Sequence, residues 1–134
     1  MADIVKSGVP SLATTLPCHA HLVDQGGDKQ AGEAIAAGDV CYVKAADGKV
    51  WRSIGTAVNE AARAWGIAAR QANVGEPVTL YNNVEFHYGA ALVIGTPLFV
   101  GAAAGALADA ATTGGTTRVA HVVSATRIRF KGDL

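Results

Sequence analysis

Residues 65–88 read WGIAARQANVGEPVTLYNNVEFHY. Two apolar runs, 65–69 and 77–81, are joined through Asn73-Val74-Gly75, and an Asn82-Asn83 step begins a third, 84–88. Val78 and Leu80 alternate with Thr79 and Tyr81; Val84, Phe86 and Tyr88 alternate with Glu85 and His87. Period two places successive side chains on opposite faces, so the stretch predicts an antiparallel meander with one buried face. Trp65, Leu80 and Phe86 are expected core anchors.

Downstream, residues 86–108 carry no formal charge. About 20 apolar residues can cross a bilayer, and Gly101-Ala102-Ala103-Ala104-Gly105 matches a small-xxx-small helix-pairing pattern. Gly89, Gly95, Thr96 and Pro97 interrupt the run, however, and alanine is weakly apolar. The local reading is a turn at Gly95-Thr96, a strand over 97–100 and a loop over 101–105, with no membrane span. Two further β runs, 118–123 and 126–130, are joined by Ser124-Ala125. Phe99 and Ile128 complete the expected anchors on this side, and Arg127 and Arg129 alternate onto a solvent face.

Upstream, Val40-Cys41-Tyr42-Val43 reads as a strand. Asp47-Gly48 reads as a tight type I′ hairpin turn before a returning strand that carries Trp51, another expected anchor. Residues 56–63 (TAVNEAAR) form the one helical candidate, with Thr56 placed as its cap and an irregular crossover as the alternative. Residues 1–35 hold two prolines, a Gly-Gly step and scattered apolar side chains. They read as an extended arm, with a short strand near residues 19–23, followed by a β domain over 36–134. Val5, Val9, Leu12 and Leu16 make the arm too apolar to float in solvent, so it should lie against its own body or a neighbouring subunit. Seven or eight short strands with turns about every 8 to 12 residues predict an all-β fold, a small antiparallel barrel or sandwich.

A chain of 134 residues can bury a core without disulfides or metals. Eleven basic and eleven acidic residues give net charge zero, which argues against a large footprint for nucleic acid or an anionic membrane surface. Charged residues are 16% of the chain, against about 25% in ordinary soluble domains. With so little repulsion, the chain is expected to associate with other protein. Cys18 and Cys41 are the two cysteines, expected reduced because no basic segment followed by an apolar run opens the chain.

Cys18, His19 and His21 are the most tempting ligand cluster. Zinc sites usually show paired ligands at two places, and here one half exists. In a strand His19 and His21 share a face while Cys18 points away, so no metal is expected. His87 and His121 with Ser124 or Ser53 would be needed for nucleophilic catalysis, but no Gly-x-Ser-x-Gly elbow is present. The glycine-rich 101–105 stretch lacks the Lys-Ser or Lys-Thr of a phosphate loop. Trp51, Trp65 and Phe86 could make an aromatic platform for sugars or bases; core packing is the reading preferred here. No cofactor and no enzyme activity are expected.

Several segments follow one another in a telling order: Gly32-Glu33-Ala34-Ile35-Ala36-Ala37-Gly38-Asp39-Val40, Gly48-Lys49-Val50-Trp51, Trp65-Gly66-Ile67-Ala68, and Gly75-Glu76-Pro77-Val78-Thr79-Leu80-Tyr81. Gly95-Thr96-Pro97-Leu98-Phe99-Val100, Gly105-Ala106-Leu107 and the closing run 119–130 follow. In that order, over residues 30–131, the chain resembles the capsid cement (decoration) proteins of tailed bacteriophages. The resemblance implies a jelly-roll or tulip-like β body. It also implies a structural, non-enzymatic role on the outer surface of the virion head, after synthesis in the bacterial cytoplasm. The implied partners are the major capsid protein and the chain itself, as a homotrimer or alternatively a homodimer. Val9, Leu12, Leu16, Pro17, His19 and His21 in the arm are then candidate capsid or subunit contacts. The alternative is a head-fibre base or glycan-binding virion module using Trp51, Trp65, Tyr81 or Tyr88.

Overall fold

In the computed structural model, residues 3–6, 8–12, 21–22 and 29–132 are described. Leu16, Pro17, Cys18 and His19 lie outside the described residues, and Leu12 and His21 are described by strand pairing alone.

The apolar alternation resolves into strands β1 Ser11–Leu12, β2 His21–Leu22, β3 Val40–Val43, β4 Val50–Arg52 and β5 Gly66–Ala68. They continue as β6 Leu80–Asn82, β7 Val84–His87, β8 Pro97–Val100, β9 Leu107–Ala108, β10 Ala120–Val122 and β11 Arg127–Phe130. They form two antiparallel sheets, ordered β1-β7-β11-β10-β8-β9 and β2-β6-β5-β3-β4. The fold is all-β, and neither sheet closes into a barrel. Closure requires one continuous ring of pairing, whereas here the chain leaves one sheet for the other at Asn83.

That switch corrects the expected meander. β5 and β6 do pair, Ile67 opposite Tyr81 and Ala68 opposite Leu80. Asn83 then takes a left-handed φ of 52°, a conformation asparagine tolerates better than most residues. β7 therefore departs to pair with β1 and β11. The Asn-Asn step is a corner between sheets rather than a hairpin turn.

The two sheets differ in how their sequences read, and burial explains why. The main core holds Val40 and Ile67 from the five-stranded sheet against Val84, Phe86, Leu98, Val100, Val122, Ile128 and Phe130 from the six-stranded one. A second core lies on the far side of the five-stranded sheet. Cys41, Val50, Ala68 and Leu80 pack there under Ala31, Ile35, Ala72 and Val78. β5 is thus buried on both faces and reads as an unbroken apolar run, whereas β7 and β11 alternate because one face stays open.

Leu80, Phe86 and Ile128 are buried. Trp51, Trp65 and Phe99 are half-buried and do not serve as central anchors. Phe99 falls between inward-facing Leu98 and Val100, so period two turns it to the opposite face. Trp65 packs at the border of the second core. Trp51 lies against Gly32, where a Cβ would meet the indole at 2.4 Å, and its Nε1 donates to Asp47 Oδ2 at 3.2 Å.

Two turns also differ from expectation. The β3–β4 hairpin has a four-residue loop, 45–48, rather than a two-residue I′ turn. Gly48 N–H donates to the Lys44 carbonyl (2.8 Å) with φ 68°, and Lys49 N–H is held by Asp47 Oδ1 (2.9 Å). The helical candidate contracts to one 3-10 turn, Glu60–Ala62, capped by Asn59 rather than Thr56.

The described residues before residue 36 are woven into the body. Ile4 N–H donates to the Leu107 carbonyl (2.8 Å), β1 pairs with β7, β2 pairs with β6, and Ala31 bridges to Val50. These additions cover open edges, which would otherwise template pairing with other chains. At β4, Glu33 does the same with a side chain: its Oε2 accepts the Arg52 N–H at 2.9 Å and its Oε1 the guanidinium at 3.1 Å.

Candidate functional site

The groups considered for catalysis are not brought together. Ser53 is buried and donates to the Arg63 carbonyl at 2.5 Å. Ser124 Oγ accepts from the Arg127 backbone N–H at 3.0 Å. His87 and His121 stand exposed on separate strands, β7 and β10. Glu76 Oε1 accepts the Asn73 N–H at 2.6 Å and so closes its own turn. Among the described residues no group of three or more His, Cys, Asp or Glu is placed to hold a metal. Cys41 is buried and free, and burial followed by nearby Asp39 pushes its thiol well above the ordinary range, the state of an inert packing cysteine. Among the described residues, no helix is long and apolar enough to cross a membrane.

The aromatic platform is not assembled either. Tyr88 is buried in the main core, where burial and then Asp39 raise its hydroxyl pKa. Trp51 is occupied by its own chain, with Gly32 against the ring and the Lys44 ammonium 4.6 Å from the centroid. Tyr81 lines an open cleft of about 700 Å³ with Arg70, Gln71, Glu76 and Thr79.

What the fold builds instead is a surface. The arm is fastened by its polar side chains. Asp3 accepts backbone N–H groups of Ala102 (3.1 Å) and Ala103 (3.2 Å), tying residue 3 to the turn after β8. Lys6 reaches Asp39, 2.5 Å from Oδ1, and Asp39 Oδ2 also accepts the Ala36 N–H at 2.8 Å. Pro10 is buried against Gly38. With Asp3 and Lys6 turned inward, the nearby valines face water: Val5 is 80% and Val9 81% exposed.

Val5 does not stand alone. Its carbonyl lies against Gly89, at the start of a loop whose Val93 and Ile94 are 72% and 71% exposed. This loop is pinned by Leu92 N–H to the Ala125 carbonyl and Gly95 N–H to the Val122 carbonyl, both at 2.9 Å. In the other direction Val9 lines a 380 Å³ groove with Pro10, Ala36, Ala37 and Ala69, rimmed by Lys6, Arg70 and Gln71. The Val9 flank is therefore an apolar groove with a small polar rim, and Val5, Val93 and Ile94 add further exposed apolar side chains.

A second surface has the opposite character. The open face of the six-stranded sheet carries His87, His121, Arg127 and Arg129, with Glu85 largely buried between the two arginines (3.1 Å to Arg127, 3.9 Å to Arg129). Arg129 also donates to Asn83 Oδ1 at 2.8 Å, which ties the sheet corner to β11.

Of the expected contact residues, Val9 is on the apolar flank. β1 and β2 place the backbones of Leu12 and His21 at sheet edges, and Leu16, Pro17 and His19 are outside the described residues. Sequence reasoning missed Val93 and Ile94, although two adjacent large apolar residues just before a Gly-Thr-Pro turn were a signal available to it. It also missed Asp3 and Lys6, for which a long-range partner leaves no local mark. Family models, curated proteins and solved structures show no match to this chain.

Proposed function

We propose that this chain is a structural virion protein that binds the outer surface of an expanded phage head as a homo-oligomer and cements neighbouring major capsid subunits. Its two sheets stack as a sandwich-like body of the jelly-roll or tulip kind. One observation carries the reading: residues 3–6 are fastened to the body through Asp3 and Lys6 while Val5 and Val9 face outward, with Val93 and Ile94 also exposed. The ordered run of segments that resembles the cement proteins supports the same reading.

The energetics suit a shell. A stable protein interface buries about 1,600 Å² in total, and ordering a free segment costs about 1–2 kcal/mol per residue. For the described residues of 3–12, which pair with β9 and β7, much of that cost is met before binding. Each contact can then be modest, because repeated sites around a head raise the effective concentration of every further one.

Co-sedimentation with undecorated, expanded heads tests the reading. The expected result is saturable binding at a fixed ratio to the major capsid protein, weakened by Val5→Asp with Val9→Asp. Failure of the wild-type chain to pellet with heads would overturn it.

A second reading, a glycan-binding module on the virion, is favoured by the Tyr81 cleft, where an aromatic ring meets Arg70, Gln71 and Glu76. It requires binding on a glycan array that Tyr81→Ala abolishes, and a blank array would dismiss it.

A further inference from the structure

We infer that Arg118, His121 and Lys131 form a carboxylate-binding depression through which the chain docks an acidic segment of a protein partner, which is the major capsid protein if the cement reading holds. The depression, about 420 Å³, is lined by Gly95, Arg118, Val119, Ala120, His121 and Lys131. Every ionisable side chain in it is a base; no acid lines it.

Backbone geometry brings the three together. The Val119 carbonyl accepts both Lys131 N–H (2.7 Å) and Gly132 N–H (3.0 Å), which places Arg118 beside the end of β11. His121 follows on β10, opposite Arg129 on one side and Pro97 on the other. Arg118 precedes β10, outside its alternation, while His121 is the outward residue of β10 and Lys131 continues the outward alternation of Arg127 and Arg129; all three are exposed and line the same depression. The Gly95 rim is held by its own N–H to the Val122 carbonyl at 2.9 Å.

The contrast with the neighbouring cations is informative. Arg127 and Arg129 on the same face are occupied by Glu85. Arg118, His121 and Lys131 have no ion-pair or hydrogen-bond partner for their side chains among the described residues. A guanidinium fork next to an ammonium matches paired carboxylates. Nucleic acid is the less suitable polyanion, since the chain as a whole has net charge zero and this basic area is one depression rather than a stripe.

The test titrates the full chain with an oligoglutamate peptide, followed by amide chemical shifts, with a short DNA duplex run in parallel. The expected result is shifts at residues 118–121 and 131 that fade as salt shortens the Debye length toward about 8 Å. The Arg118→Gln, His121→Gln, Lys131→Gln triple variant should bind roughly tenfold more weakly, as for loss of several solvent-facing pairs. Arg118→Glu alone should reproduce the direction. All three side chains are exposed, so an unchanged thermal midpoint verifies folding. No shift with wild type, equal binding by the triple variant, or a response to DNA in place of peptide would overturn the inference. The same variants on expanded heads separate the two proposals. Heads that bind wild type and triple variant equally overturn this site and leave the cement reading standing. Peptide binding without head binding supports the site and overturns the capsid as its partner.

Discussion

Replacing Lys6 by Met should release the arm, and the size of the effect follows from the surroundings of Asp39. The methionine keeps the aliphatic stem against the body but removes the ammonium. Asp39 is then a buried carboxylate whose remaining partner for Oδ2 is the Ala36 N–H, while Oδ1 has lost its cation. Breaking a fully buried pair costs about 3–5 kcal/mol. Lys6 is a quarter exposed (26%, against 5% for Asp39), so water recovers part of that and about 2 kcal/mol remains. At about 2.1 cal/mol/K of unfolding entropy per residue, a chain of 134 residues loses roughly 7 °C in Tm. Asp39→Asn should cost less, about 1 kcal/mol, since the amide can still accept from Ala36 and Lys6 can turn to solvent. The double variant should then resemble Asp39→Asn alone. Urea melts of the four proteins give the coupling directly, and thermolysin should cut between residues 4 and 12 faster in Lys6→Met. If the two substitutions add within about 0.3–0.5 kcal/mol, they do not interact and the latch is refuted.

The remaining predictions use the same physics elsewhere. Phe86→Ala empties the main core and should cost about 3–5 kcal/mol, whereas half-buried, outward-facing Phe99→Ala should cost less than half as much; urea midpoints decide, and equal losses would contradict the facing of β8. Gly105→Ala meets a left-handed φ of 79° and places a Cβ 2.7 Å from the Asp39 carboxyl carbon, while Gly48→Ala meets φ 68° with open space around it. Both carry the roughly 1–2 kcal/mol left-handed penalty, and Gly105→Ala should be clearly the worse by differential scanning calorimetry because it also displaces Asp39. Folding keeps protons on Tyr88 and Cys41, whose pKa values burial raises above their ordinary 10.0 and 9.0, while the unfolded chain releases them. Stability from this source is therefore complete below about pH 9 and declines as pH rises beyond it, and Tyr88→Phe should flatten the decline in urea midpoints between pH 9 and 11. An unchanged slope would contradict the burial of that hydroxyl.

Much of the β content was legible because alternation is local. Val84, Phe86 and Tyr88 against Glu85 and His87 identify an inner and an outer face from sequence alone, and the core follows them. The sheet that is buried on both sides was harder. Gly66-Ile67-Ala68 carries no alternation, and nothing near it in sequence announces that Ala31 and Ile35 come back to cover its far side. The Asn82-Asn83 step has the composition of a hairpin turn, and only the partners of β7, fixed by residues far along the chain, make it a corner. Tryptophan misled for a related reason. Its size suggests an anchor, but Trp51 covers Gly32 at the edge of β4, where a small residue leaves room for a ring. The surface was least legible: exposure of Val5 and Val9 depends on Asp3 and Lys6 finding Ala102 and Asp39, pairings about a hundred and about thirty residues apart.

Genome retention on heating is the most direct measure of cementing. Expanded, packaged heads would be prepared without their decoration, then heated with and without the purified chain while DNA release is followed by dye fluorescence. The account predicts that release moves to higher temperature as sites fill, and that the shift saturates at the same ratio as binding. Release at an unchanged temperature from heads saturated with the chain would contradict it.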